Sequence, residues 1–242
     1  MQTFALKYII FDDYSIGFEM KIKSFLQLII LFFGIFCYSA ENASALTPQA
    51  AEQWAKNKGE QILQILSAPS SAQKYEQLDA ILSQDIDLDH AARFVVGKYW
   101  RQMTPEQQAE YVPLFKRYVS ALYKSVPLDI KTDSIRFQID KTSQTATGVE
   151  VWCTIFAPQI EKTAENQSQS GIKVLFILTD ANGHVQVRDL KVEESSLLLS
   201  YRDRFYKMIH EDSDDDMTWF LEDLTALTQD TEEKNAQKLN LL

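Results

Sequence analysis

Cysteine is nearly absent from this 242-residue chain, Cys37 and Cys153 being the two present. Removal of the first 45 residues, argued below, leaves only Cys153, so no intramolecular disulfide can staple the fold and the core must hold itself together. Glycine is scarce too. Of seven glycines, only the scattered Gly59, Gly97, Gly148, Gly171 and Gly183 lie beyond residue 45, and they form neither a phosphate-cradling loop nor a G-x-S-x-G elbow. The three histidines, His90, His184 and His210, lie far apart and match no metal-ligand spacing. Excess positive charge is also lacking. The formal net charge is −10, with no cluster of Lys and Arg, which argues against binding to a nucleic-acid backbone.

Two features resemble chemical sites and are better explained otherwise. Cys153 lies among Val149, Val151 and Ile155, the setting of an inert buried thiol rather than of a low-pKa nucleophile. The acidic run from Glu211 to Asp216 lacks the loop glycine and terminal glutamate of an EF-hand. A solvated turn that caps the following helix is the expectation there. No catalytic constellation, metal site or cofactor site emerges, and the chain is expected not to be an enzyme.

What is present begins with a targeting pattern. Lys21 and Lys23 precede an apolar run from Phe25 to Tyr38, and Ala43-Ser44-Ala45 supplies small residues for cleavage, so residues 1–45 are expected to be a signal peptide. The run is about 14 residues, short of the roughly 20 that a spanning helix needs. The acidic, aromatic stretch from Phe11 to Glu19 is wrong for the start of a signal, which makes Met20 the expected initiator and Leu46 the first mature residue. Taking three Lys and four acids of the leader from totals of 24 and 34 leaves 21 basic and 30 acidic residues, a net of −9. The product is expected to be exported.

From Leu46 onward the periodicity is first helical. Thr47-Pro48 opens a helix carrying Ala51, Trp54, Ile62, Ile65 and Leu66; a second carries Tyr75, Leu78, Ile81 and Leu82; a third, capped near Asp87 or Asp89, carries Ala91, Phe94, Val95 and Tyr99. Thr104-Pro105-Glu106-Gln107 is a capping box that starts a long helix with an aromatic stripe through Tyr111, Leu114, Phe115, Tyr118, Val119, Leu122 and Tyr123. Pro127 marks its end. The pattern then alternates through Ile135–Ile139, Val149–Ile155, Ile172–Leu178 and Val185–Val192, with Asn182-Gly183 as a hairpin signal. Glu161 to Gly171 is a solvated loop. Two further helices follow, from about Ser196 and after Asp214. The expected architecture is α+β: N-terminal helices, an antiparallel sheet of about four strands and C-terminal helices around one domain over 46–228. Residues 229–242 are expected to be a polar tail.

The apolar stripes first of all make a core. Their width is notable, because Leu175 and Ile177 make both faces of the third strand apolar, and a fatty ligand could lie between layers. Acyl burial gains roughly 0.8 kcal/mol per methylene and needs no catalytic residue. Two segments carry a resemblance that decides between these readings. Asp89-His90-Ala91-Ala92-Arg93-Phe94-Val95-Val96-Gly97-Lys98-Tyr99-Trp100-Arg101, continuing through Thr104–Gln107 to Phe115 and Tyr118, and Asp189-Leu190-Lys191-Val192-Glu193-Glu194-Ser195-Ser196-Leu197 with Tyr201-Arg202, Phe205 and Ile209, resemble the MlaC family, the toluene-tolerance proteins of the Mla lipid-asymmetry pathway. The likeness covers roughly residues 50 to 228. Over 130–170 it rests on alternation alone, and Glu194 stands where the family usually has glycine.

The resemblance implies a soluble periplasmic carrier that takes phospholipid from an outer-membrane lipoprotein complex and delivers it to an inner-membrane ABC transporter, without cofactor or metal. It makes Phe94, Tyr99, Phe115, Val119, Val174, Phe176, Leu178 and Tyr201 candidate lipid-binding walls, each of which could equally be plain core. Arg202 can stabilise a helix or meet a phosphate. Two alternatives stay open: a hopanoid-associated carrier of the same family, and an exported adaptor that binds only proteins.

Overall fold

The computed structural model describes residues 46–69, 71–125, 135–156 and 171–239; the expected signal peptide, Pro127 and most of the polar loop lie outside the described residues. The helical half runs as α1 (Pro48–Ser67), α2 (Ala72–Asp85), α3 (Leu88–Val96), a 3₁₀ turn (Gly97–Arg101) and α4 (Pro105–Lys124). Each start has the side-chain acceptor that the orphan amides of a first turn require. Thr47 Oγ1 accepts from Ala50 N–H, Ser71 Oγ from Lys74 N–H and Asp87 Oδ1 from His90 N–H. At α4 both bonds of the capping box form, at 3.2 and 3.0 Å. Lys74 secures the preceding helix end as well, its Nζ donating to the Leu66 and Ala68 carbonyls.

The second half holds β1 (Arg136–Gln144), β2 (Val149–Phe156), β3 (Ile172–Ala181), β4 (His184–Val192), the two-residue β5 (Ser195–Ser196), α5 (Leu197–Lys207), a π turn (Met208–Asp212) and α6 (Met217–Leu239). The strands form an antiparallel meander in the order β1-β2-β3-β4-β5, so the architecture is α+β as expected. Asn182 and Gly183, at φ 58° and 86°, make the β3–β4 turn, with Gly183 N–H donating to Asp180. Asp140 and Arg188 are the extra residues of two bulges.

Register puts Val149, Val151, Cys153 and Ile155 beside Leu178, Phe176, Val174 and Ile172, and Val174, Phe176 and Leu178 beside Val192, Leu190 and Val187. Of these, all but the partly buried Val192 are buried, in one core cluster with the helices, whereas Glu150, Trp152, Lys173 and Leu175 on the other face are half-buried or exposed. Helices approach the sheet mainly over its flanks, α1 over β1 and β2, and α2, α3 and α5 over β4.

The β4–α5 junction is held by one carboxylate. Asp189 accepts from Ser196 Oγ, Leu190 N–H and Leu198 N–H, while Ser196 Oγ caps α5 by accepting from Leu199 N–H. Between them Glu193 and Glu194 turn the chain at φ 46° and 71°, a left-handed conformation that suits glycine.

One segment departs from expectation. The stretch from Gln229, expected as a polar tail, continues α6 to Leu239. Several polar side chains there find partners inside the fold: Thr228 and Thr231 donate to the carbonyls four residues back. Asn235 Nδ2 donates to the Ala121 carbonyl of α4, and Arg117 pairs with Glu232. The acidic run behaves as expected at its end, Asp216 Oδ1 accepting from Thr218 and Trp219 N–H at the start of α6. Among the described residues no helix is long and apolar enough to cross a membrane.

Two outcomes follow from this geometry. Left-handed backbone costs a residue with a Cβ roughly 1–2 kcal/mol, partly offset in glycine by chain entropy, so Glu194→Gly should raise the urea midpoint by a stability of about 0.5–1 kcal/mol. An unchanged or lowered midpoint would show that the turn is not strained. Burial pushes the Cys153 thiol up to about 12, so little thiolate exists at neutral pH; a maleimide should label the folded protein only on the timescale of unfolding, and label the denatured protein at once.

Candidate lipid-binding site

The helical wall of the interior is aromatic because α4 repeats rings at helical spacing. Tyr111, Phe115 and Tyr118 share one face, and all three meet Phe205 of α5, at centroid separations of 6.5, 5.8 and 5.8 Å. Phe220 of α6 closes the group, 5.9 Å from Phe205 and from Tyr111. Angles of 66–74° between Phe205 and its neighbours place ring edges against ring faces, the arrangement that the aromatic quadrupole favours. Tyr111 spends its hydroxyl on the Ala92 carbonyl. Tyr118 does not: its hydroxyl is buried and, among the described residues, meets no hydrogen-bond partner.

The sheet wall is aliphatic apart from Phe176. Val174, Phe176 and Leu178 lie in line along β3 with 0–1% of their surface exposed, flanked by Val151 and Cys153 on one side and by Leu190 and Val192 on the other. Phe115 and Val119 are buried on the helical wall. The structure thus places five of the eight candidates, Phe115, Val119, Val174, Phe176 and Leu178, in the interior.

Of the remaining three, Tyr99 and Phe94 lie at one rim beside Tyr206 and Arg202 of α5. Tyr99 is buried, but its hydroxyl donates to Asp215 at 2.7 Å; burial first, and then that carboxylate, raise its pKa. Phe94 is half-buried between the His90 ring and the Arg202 guanidinium, 5.8 and 5.3 Å away. Tyr201 is half-buried against the core, and burial raises its pKa above the usual phenol value.

Three groups that the sequence reading passed over now stand out. Phe205, outside the eight candidates, is the hub through its four ring contacts. Lys58 is fully buried, with Nζ 3.8 Å from Asp85 Oδ1 and over the Trp54 ring; burial holds the Asp85 carboxyl well above the carboxylate range, against the opposing pull of Lys58. The signal for Lys58 was its position, four residues from both Trp54 and Ile62 on the inward stripe of α1. The third is a cleft of about 510 Å³ between α1 and α2, lined by Gln61, Gln64, Gln77 and Gln84 with Ile65 and Ile81 among the apolar residues. None of the eight candidates lines it. Among the described residues no group of three or more His, Cys, Asp or Glu is placed to hold a metal ion.

Comparison with known proteins bears on this arrangement. No curated protein matches the sequence. Among solved structures, the phospholipid-binding protein from Ralstonia solanacearum, determined in complex with a phospholipid, is similar with a TM-score of 0.52 and 20% identity, over 75% of this chain and 94% of that one. At that identity the likeness is one of fold. A family model, that of the MlaC protein, matches residues 56–223, which takes in α2 to α5 and most of the strands and helices that form both walls. Helices first, a meander next, a helix capped from the last hairpin and a match over most of the chain lead to one conclusion: the protein belongs to the MlaC family.

Proposed function

We propose that the protein is a periplasmic phospholipid carrier. It is exported with a signal peptide cleaved after Ala45, and it moves lipid between an outer-membrane lipoprotein complex and an inner-membrane ABC transporter. Membership of the MlaC family supports the reading, as does the phospholipid bound by the Ralstonia protein of like fold. The observation that carries it here is Tyr118, a phenol with 1% exposure whose hydroxyl meets no partner among the described residues. A buried hydroxyl without a partner costs about 1–3 kcal/mol, and an ester carbonyl of a diacyl lipid lying between the two walls is an acceptor that removes the cost. The acyl chains themselves are driven in by burial of methylenes, which an aromatic wall and an aliphatic wall both provide without specific chemistry.

Organic-solvent extraction of the purified mature protein should release about one two-chain phospholipid per chain. A polycyclic lipid in its place would identify a hopanoid carrier. A preparation that holds no lipid and takes none from vesicles would favour the protein-binding adaptor. Val174→Trp sharpens the test. If the walls part to admit chains, the indole fills that space and lipid loading is lost with little change in the melting temperature of the lipid-free protein; if Val174 is plain core, overpacking costs about 1–3 kcal/mol and the folded fraction binds as before.

Tyr118→Phe separates the same readings by sign. Removing a hydroxyl with no partner should stabilise the lipid-free protein by about 1 kcal/mol or more while weakening lipid loading. Stabilisation with unaltered loading would assign Tyr118 to the core alone.

A further inference from the structure

Where the 3₁₀ turn after α3 meets α5, one phenol is surrounded by donors. Tyr206 Oη accepts from Lys98 N–H and from Arg202 Nη2, each at 2.9 Å. The backbone can come this close only because residue 97 is glycine. Gly97 has φ 47°, and a Cβ there would lie 2.3 Å from the Tyr206 oxygen and 3.0 Å from Arg202 Nη2.

A phenol oxygen has two acceptor sites and one proton to give. Both acceptor sites of Tyr206 are filled, so its O–H points away from Lys98 and Arg202, and among the described residues nothing accepts it. Two cations flank that proton. The Arg202 guanidinium stacks on the Tyr206 and Phe94 rings at 5.1 and 5.3 Å, and Lys98 Nζ lies 4.7 Å over Tyr99 and 5.6 Å over Tyr206. Tyr99 packs edge-on against Tyr206 at 5.1 Å and fixes its ring.

Among the described residues neither Arg202 nor Lys98 has a carboxylate within ion-pair distance. The neighbouring acid, Asp215, is taken by the Tyr99 hydroxyl and by His210. Lys98 is exposed and Arg202 and Tyr206 are half-buried, so the group opens to solvent. Burial alone would raise the Tyr206 pKa, but the Lys98 amide and Arg202 hold it below the usual value.

We propose that Gly97, Lys98, Arg202 and Tyr206 form a binding site for a phosphate group, with the Arg202 fork, the Lys98 ammonium and the outward Tyr206 O–H donating to its oxygens. Arg and Lys supply the charge, and the phenol supplies a fixed direction between them. The chemistry is the same for a free phosphomonoester and for the phosphate of a lipid headgroup. As a headgroup site it rests on the carrier reading, because Phe94 under Arg202 would then begin the path of the chains; as a site for free phosphate it does not.

The test uses the mature chain and two probes: sn-glycerol 3-phosphate, followed by calorimetry, and extraction of lipid from phosphatidylglycerol vesicles. Tyr206→Phe keeps the ring and both cations, and Arg202→Gln keeps most of the volume while removing the charge, with melting curves confirming that each is folded. Each variant should weaken phosphate capture about tenfold or more. Loss in the vesicle assay assigns the phosphate to a headgroup, and loss confined to glycerol phosphate assigns it to a free ligand. If the parent binds glycerol phosphate with this sensitivity yet extracts no lipid, the site stands and the carrier reading falls. If folded variants match the parent in both assays, or the parent binds neither probe, the site is overturned.

Discussion

The packing of one ring ties the C-terminal helices to the N-terminal ones. Phe205 contacts three rings of α4 and one of α6, so a single side chain joins α5 and α6 to a helix on the far side of the sheet in sequence. Such edge-to-face pairs contribute about 0.5–1.5 kcal/mol each beyond their burial. The position of Phe205 is in turn set by the sheet. Asp189 within β4 fixes Ser196, Ser196 caps α5, and nine residues after the cap, two and a half helical turns on, Phe205 faces α4. The hub and the sheet are therefore one mechanical unit, transmitted through a carboxylate and a hydroxyl.

This coupling explains why the sequence was legible in some places and opaque in others. Local signals survive translation into structure: Thr104 and Gln107 formed their box, Asn182-Gly183 made its turn, and the alternation around Cys153 buried one face of the sheet. Each depends on neighbours within a few residues. The second half of α6 depends on partners more than a hundred residues away, such as the Ala121 carbonyl that receives Asn235. A pattern rule sees only polar residues there and ends the helix early. Lys58 and Asp85 failed for the same reason: each sits on the inward stripe of its helix, but the other, which makes its burial tolerable, belongs to another helix.

The candidate site shows the same division. Phe115, Val119, Val174, Phe176 and Leu178, candidates through the family resemblance, lie on faces that periodicity marks as buried, because a lipid wall and a core obey the same rule of spacing. Periodicity could not find Tyr118's unpartnered hydroxyl, which is a property of the assembled interior. Nor could it rank Phe205 above other apolar positions on α5. Glu194 is a contrasting case: its departure from the family's glycine pointed at the turn, and the turn does hold a left-handed backbone with no glycine in it.

A carrier needs affinity and release from the same interior, and the two walls divide the physics that achieves this. Burial of apolar surface is non-directional and scales with area, so in the proposed carrier the stiff β-branched face of the sheet and the aromatic face of α4 would hold any chain of suitable length about equally. Discrimination must therefore come from groups with direction. Those lie at the rim, where Tyr99 is tied to Asp215, and Tyr206, on the helix that Ser196 and Asp189 start, to Lys98 and Arg202. A change in that rim would alter which lipid is held without altering how strongly chains are buried, whereas a change in the hub would move both walls at once. The apolar interior can thus remain permissive while the polar edge sets the choice.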